Sequence, residues 1–510
     1  MGELNLDDTV VELKDDAGTV TNWTIRDSFE GTQIFGGIGS GKTSGSGRTF
    51  AMGFLKKGYG GLVLTAKNEE KDLWIGYCKA TNRSDDLIIV EPGSEYYFNF
   101  LQYEAQHSSP QFPVSQNIVQ VLKTVIRASE EKNSGTSDDP FWETALDMLI
   151  YNCVELSLLA FGTVTVETLN TLALSAPKKS DDLNVTGNDE NIQHTCIVAL
   201  NGIKKQIKEK LERWKKGKPL RILDTLSTED FDRVMNSVVP EAQAFAGVER
   251  FFIDTYRNLS ERTRSIIEFS FLGFLSHLMR EPLYSLFSKY NYKYTPDVCL
   301  KGKIILLNLP VKSYYHAGRD CQILFKYIWQ RAMERRDIKN NPLPVFLFAD
   351  EAQHFLHEYD AEYQATARGS MIATLYITQN LPNYHANMGG TKSEYRVKSF
   401  LGTLATKIFH ANADIETNKY ASDLVGDAYR VSKTKTRSYS GDENNKFNMS
   451  EAESKVLEKA IRPEKFGLLR TGGPRNDKQV DALIHTQGNT WPEQKNYAFI
   501  TFNQNNKTNH

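Results

Sequence analysis

Short apolar runs and long helical periodicities occupy separate blocks of this chain. Thr32-Gln33-Ile34-Phe35, Gly61-Leu62-Val63-Leu64-Thr65 and Leu87-Ile88-Ile89-Val90 are short apolar runs bounded by turns or polar residues. Runs of that kind predict strands buried on both faces, alternating with helices in a parallel α/β sheet. Ahead of them, residues 1–30 alternate polar and apolar and predict an opening strand pair. A helix is expected after Phe35 through about Lys57, although Gly45 and Gly47 each weaken it by ~1 kcal/mol. From about Tyr103 to Val298 the strand rhythm stops and helical periodicity takes over, for example over 141–161 and 263–286, with polar loops at 129–139 and 175–191. Strands resume at Lys303-Ile304-Ile305-Leu306-Leu307 and continue at 345–349, 374–378, 406–410 and 497–502. The polar stretch 432–447 is expected to be a mobile loop.

A simple strand–helix–strand unit takes about 30 residues. The interval separating the two strand blocks is far longer, so the economical reading is one α/β domain interrupted by an all-helical insertion. Its expected parts are a first α/β part over 1–104, an inserted all-α domain over 105–298 and a second α/β part over 299–510. Two independent domains in tandem would leave the first strands without enough partners.

The 510 residues are 40% hydrophobic and 24% charged, an ordinary globular composition. With a net charge of −2 there is no global positive field, so any contact with nucleic acid must come from a local surface or an assembly. Cys78, Cys153, Cys196, Cys299 and Cys321 are scattered, which argues against a disulfide framework or zinc site and for a reducing compartment. The acidic start Met-Gly-Glu-Leu-Asn-Leu-Asp-Asp has no apolar signal region. The longest apolar stretch, Met148 to Phe161, is broken by Asn152 and Glu155, so a soluble, cytoplasmic chain is expected.

Candidate chemistry begins at Gly36-Gly37-Ile38-Gly39-Ser40-Gly41-Lys42-Thr43, a complete G-x-x-x-x-G-K-[ST] phosphate loop directly after an apolar run. Glycines let successive backbone N–H groups curl around a triphosphate, Lys42 reaches the β- and γ-phosphates, and the Thr43 hydroxyl suits Mg²⁺. The following helix adds its positive end, bringing Ser44 to the same cradle. Gly36, Gly37, Gly39, Ser40, Gly41, Lys42, Thr43 and Ser44 are therefore the expected ATP-binding residues.

Much later, Pro344-Val345-Phe346-Leu347-Phe348-Ala349 runs straight into Asp350-Glu351. An acid at the carboxyl end of a central strand lies where ligands of open α/β sheets bind. Asp350 is expected to support Mg²⁺ with Thr43, and Glu351 to orient or deprotonate the attacking water. Thr374-Leu375-Tyr376-Ile377-Thr378 ends in Gln379, whose amide could contact that water or the γ-phosphate. Between them stands Arg368, in Ala367-Arg368-Gly369, a cation suited to charge on a transferring phosphoryl group.

With these motifs in place the chain resembles the VirD4/TraG/TraD coupling proteins of type IV secretion and conjugation, within the FtsK/HerA group of DNA-translocating ATPases. The likeness runs from about Trp23 onward. Thr65-Ala66-Lys67-Asn68-Glu69 stands where the family has Asp-x-Lys-Gly-Glu, and Tyr97-Phe98-Asn99-Phe100-Leu101 at its Asn-Pro-Leu turn, with Thr65 and Phe100 as departures. Asp139-Pro140-Phe141-Trp142-Glu143 and Ser260-Glu261-Arg262-Thr263-Arg264 resemble motifs of its helical domain. Asp350-Glu351, Arg368, Thr378-Gln379, Ala413-Asp414-Ile415-Glu416-Thr417 and Ala421-Ser422-Asp423-Leu424-Val425-Gly426 follow in the family's order.

The resemblance implies a RecA-like nucleotide-binding domain with an inserted all-α domain, and an Mg²⁺-dependent ATPase that moves DNA into a transfer channel. It implies that Arg368 is an arginine finger acting on a neighbouring subunit in a hexameric ring. Implied partners are single- or double-stranded DNA, relaxosome or cargo proteins received by the helical domain, and the secretion channel's ATPases. Family members usually begin with membrane-spanning helices and none is legible here, so a separate membrane anchor and a peripheral place at the inner membrane face are expected. The rival readings are a HerA/FtsK-like pump outside conjugation and an ATP-binding adaptor with little turnover.

Two further features have plain alternatives. Lys204, Lys205, Lys208, Lys210, Arg213, Lys215, Lys216 and Lys218, with Ile203, Ile207, Leu211 and Trp214 at helical spacing, fit either a basic docking helix or a solvated face. His354 and His357 near Glu358 lack a completed coordination sphere and are expected at a surface or facing a pore.

Overall fold

The computed structural model describes residues 4–16, 18–107, 114–133, 140–181, 183, 194–216, 233, 237–288, 292–357, 359–388, 393–439 and 447–504. The chain divides into two compact units, one of Met1–Leu87, Cys299–Ile304 and Met333–His510, the other of Ile88–Val298 and Ile305–Ala332.

The first unit opens with the expected strand pair, β1 (Thr9–Lys14) and β2 (Val20–Thr24), antiparallel. Its sheet is built from β3 (Thr32–Phe35), β4 (Gly60–Leu64), β7 (Val345–Ala349), β8 (Ile372–Thr378), β9 (Thr406–His410), β12 (Gln479–Thr486) and β13 (Tyr497–Asn503). These run in the order β13-β12-β9-β3-β8-β7-β4. The five from β9 to β4 are parallel, and β12 and β13 are antiparallel additions at one side. Register aligns the carboxyl ends. Phe35 lies opposite Thr378 and Phe409, and Ala349 opposite Leu64 and Tyr376.

Aromatic packing fixes the helices on this sheet. Phe346 of β7 stacks against Phe54 of the helix Arg48–Lys56 (5.4 Å) and Trp74 of the helix Glu70–Ala80 (5.7 Å). All three rings are buried, each worth on the order of 2–3 kcal/mol by area removed from water.

Three local findings depart from the sequence reading. The helix after the phosphate loop starts with a wide π turn, Thr43–Gly47, before the regular helix Arg48–Lys56. A side chain at Gly47 would come within 2.9 Å of Ile377 Cδ1 on β8, so the glycine that weakens the helix lets it seat on the sheet. The stretch expected as a mobile loop at 432–447 lies largely in a long antiparallel hairpin, β10 (Asp427–Tyr439) with β11 (Phe447–Lys459), and 440–446 fall outside the described residues. Both faces of that ribbon meet solvent, so no apolar alternation announces it; its strands are joined by Lys433–Glu453 (2.6 Å) and Lys435–Glu451 (3.2 Å). The third is β12, whose brief apolar core Ala482-Leu483-Ile484 gave no separate signal.

The second unit is dominated by helices, including Val114–Asn133, Pro140–Phe161, Val166–Leu174, Thr195–Lys215, Ala242–Arg250 and Glu261–Leu278. It also holds most of β5 (Leu87–Val90) and β6 (Ile304–Leu307). Val121, Leu149, Ile150, Cys153, Leu169, Cys196, Phe252 and Phe271 are buried in its interior. The window Thr144–Phe161, mean hydropathy 1.4, is long and apolar enough to cross a membrane. Its Leu149, Ile150, Val154 and Leu156 are fully buried in this unit, while Met148, Tyr151 and Phe161 are exposed. Part of the polar loop expected at 129–139 is helical to Asn133, and 134–139 lie outside the described residues, as do 182 and 184–191 of the second loop.

Candidate functional site

The phosphate loop is pinned to both neighbouring strands. Gly36 N donates to Thr378 O at the end of β8 (3.3 Å), and Gly37 N donates to Ala411 O just past β9 (2.9 Å). Gly41 has φ +80, and a Cβ there would meet Val480 Cγ2 of β12 at 2.6 Å, so glycine is required twice over. Lys42 is buried, 6% exposed. Burial pushes its ammonium pKa down, while Asp350 and Glu351 oppose that.

Below the loop, His410 closes β9. Asp481 O can only accept, so His410 Nδ1 carries the proton (3.0 Å) and Nε2 faces the Ser46 hydroxyl (2.7 Å). Burial first, and the Lys42 charge, push this imidazole down to about 4 despite the bond to Asp481. A neutral histidine thus ties the first helical turn after the loop to β12.

The carboxylates arrive from β7. Thr43 Oγ1 donates to Asp350 Oδ2 at 2.8 Å, joining residues 307 positions apart, and Asp350 Oδ1 accepts from Glu351 N (2.9 Å). Glu351 is 4% exposed and left-handed, φ 51 and ψ 48. Its Oε1 accepts from Lys67 Nζ (2.8 Å), its Oε2 from Gln353 Nε2 (2.9 Å), and both lie near Gln379 Nε2 (3.2 and 3.3 Å). Thr378 Oγ1 in turn donates to Gln353 Oε1 (2.8 Å). Burial pushes the Glu351 carboxyl up, but the bonds from Lys67 and Gln353 and the Lys67 and Lys42 charges outweigh it and hold it at about 2.

A further carboxylate lies on the far side of Asp350. Glu70 Oε2 accepts from Ala66 N (2.8 Å), and burial, then the Asp350 charge, raise its carboxyl to about 8. Glu70 shares with Thr43, Trp74, Tyr77 and Asp350 a cavity of ≈ 10 Å³, about the room one water needs.

The structure therefore gathers Lys42, Thr43, Asp350, Glu351 and Gln379, each at or just past the carboxyl end of β3, β7 or β8. Ser44 turns away, is exposed and accepts from Gln504 Nε2 (2.7 Å). Arg368 stands apart at the end of the helix Asp360–Ala367. Its side chain is 63% exposed and pairs with Glu30 (3.2 Å). Sequence reasoning did not select Lys67, Gln353, His410 or Glu70. Lys67 had a signal, its place in the Thr65–Glu69 motif, but there the acid turned inward is Glu70 while Glu69 is exposed. His357 corrects the expectation of a surface or pore-facing ring, being 2% exposed beside Asp360 (3.7 Å). Glu358 lies outside the described residues, and among the described residues no three acid, His or Cys side chains group as a metal site. Of the basic run, Lys204 pairs with Glu249, Lys210 with Glu241 and Lys215 with Glu212, while Lys218 lies outside the described residues.

Residues 344–470 match the family model described as the TraM recognition site of TraD and TraG. The plasmid coupling protein TrwB, in complex with the GTP analogue GDPNP, has a similar structure: TM-score 0.56, 11% identity, 99% of this chain and 92% of that one. TrwB with ADP and Mg²⁺ gives 0.56 at 11% identity over 98% and 89%. Unbound TrwBdeltaN70, a bacterial conjugative coupling protein, gives 0.54 at 12% identity over 96% and 87%. This chain has the coupling-protein fold. No curated protein matches it significantly in sequence. The expected fold class, a RecA-like α/β domain with a helical insertion, holds, and the expected resemblance to the TraG/TraD coupling proteins is met in sequence by 344–470.

Proposed function

We propose that this chain is an ATP-hydrolysing coupling protein that recruits DNA, or DNA with attached protein, and drives it toward a type IV secretion or conjugation channel. The observation that carries this reading is the Thr43–Asp350 hydrogen bond, which joins the phosphate loop to a carboxylate of the distant β7 strand end. A hydroxyl and a carboxylate side by side at the foot of a phosphate loop fit Mg²⁺, whose charge would offset that of the β- and γ-phosphates. Gly36, Gly37, Gly39, Ser40 and Gly41 supply the backbone cradle and Lys42 its cation. Glu351 serves the attacking water, and Gln379, already on Glu351, reports whether the γ-phosphate is present.

Arg368 would complete a neighbour's site. Its exposure, with only Glu30 of its own chain paired to it, suits a ring, a hexamer by the family resemblance. The match of 344–470 to a TraM recognition model supports docking of a DNA-processing partner on the nucleotide-binding part. Residues 105–298 would form the cargo-receiving insertion between parts 1–104 and 299–510.

The test is ATP turnover by the purified chain with Mg²⁺, with and without single-stranded DNA. Hydrolysis abolished by Lys42→Ala and stimulated by DNA in a steeply salt-dependent way is expected. No hydrolysis with DNA at low salt would remove the motor reading.

A further inference from the structure

Resting on that ATPase reading, we propose that Lys67 is a positioning residue that locks Glu351 in the nucleotide-free state and must release it before turnover.

A carboxylate offers about four lone-pair directions. On Glu351 they are taken by Lys67 Nζ, Gln353 Nε2 and the Gln379 amide, which reaches both oxygens. A carboxylate so engaged has no direction left to accept a proton from water, so the arrangement is a resting one. The backbone agrees, because a non-glycine residue in the left-handed region costs on the order of 1–2 kcal/mol and persists only when its surroundings hold it. At Glu351 the backbone is held by Asp350 Oδ1 on its N–H (2.9 Å) and His354 N on its carbonyl (3.0 Å), and the side chain by these donors.

Of the three, Lys67 is the only charged donor, so it is the one that arriving phosphate draws away. Gln353 is buried and its amide oxygen is held by Thr378. Gln379 is anchored only through its backbone, its main-chain carbonyl accepting from Asn412 Nδ2 (2.8 Å), and its amide is neutral. Lys67 sits just past β4 on a flexible four-carbon stem, with its side chain 30% exposed. Its charge is felt at Lys42, so both cations lie within electrostatic reach of the same strand edge. A triphosphate in the Gly36–Thr43 cradle brings several negative charges to that edge and competes with one carboxylate for the Lys67 ammonium. When Lys67 turns to phosphate, Glu351 Oε1 keeps its contact with Gln379 Nε2 and regains one acceptor direction for water.

The experiment uses the full chain. Without nucleotide, a thermal-stability cycle of wild type, Lys67→Met, Glu351→Gln and the double variant should show strong coupling between the two side chains. With saturating non-hydrolysable ATP analogue and Mg²⁺ that coupling should vanish, and persistence of the coupling overturns the lock. In steady state without DNA and at saturating ATP, Lys67→Met should raise kcat about tenfold, Lys67→Arg should keep the wild-type rate, and adding Glu351→Gln should erase the gain. Lys67→Gln is the substitute should Lys67→Met fail to fold. A fall in kcat, or a rise in KM alone, overturns the lock while leaving the ATPase reading intact. No turnover by wild type even with DNA overturns the reading and the lock together.

Discussion

Glu351 is a buried carboxylate with both oxygens occupied, and its protonation is settled by neighbours rather than by solvent. Glu351→Gln keeps the shape and removes the proposed base. Turnover should fall ~10²–10⁴-fold while ATP affinity is retained, checked by steady-state hydrolysis beside equilibrium nucleotide binding. His410 gives a pH signature. Its folded pKa, about 4, lies below the usual 6.5, so between those values the unfolded chain binds a proton that the folded one refuses. The stability it contributes is full above pH 6.5 and lost as pH falls toward 4. Melting curves from pH 4 to 7 should show this slope in wild type and a shallower one in His410→Gln. At this scale Lys42, Thr43, Asp350, Glu351 and Gln379 were selected from the sequence and lie together in the structure; all but Gln379 belong to motifs whose residue types follow from phosphate and metal chemistry. Lys67, Gln353 and His410 act through hydrogen bonds set by the register of other strands, which one chain segment does not encode.

At the level of elements, apolar runs found the parallel strands because strands buried on both faces cannot avoid being apolar. The two ends at 345–349 and 406–410 were met as expected. The hairpin β10–β11 escaped because its side chains face water on both sides. Among its described residues Tyr429, Val431, Met449 and Leu457 are more than half exposed. Little buried area depends on the outer part of this ribbon. Replacing 433–453 by a short turn should therefore shift the melting temperature by less than about 3 °C and leave nucleotide affinity unchanged, checked by calorimetry and analogue binding. Gly41 behaves oppositely. Gly41→Ala places a methyl group against Val480 in a left-handed backbone and should cost on the order of 1–3 kcal/mol, with nucleotide binding lost.

For the whole molecule, Arg368 is exposed and Glu351 enclosed, so the proposed trans role of the arginine can be tested apart from that of the carboxylate. Mixing Arg368→Ala with Glu351→Gln subunits should restore part of the activity that neither has alone, and diluting the mixture should abolish it; every mixture inactive under assembling conditions would remove the trans arginine. The sequence by itself determined the chemical inventory and the order of elements, because a phosphate loop and an acid-tipped strand each need only a few contiguous residues. Only the tertiary structure decided which strand ends meet: β3 between β8 and β9, β7 between β4 and β8. Strand order is a matter of long-range packing, of Phe346 against Phe54 and Trp74, and it is that packing which puts Lys67 on Glu351.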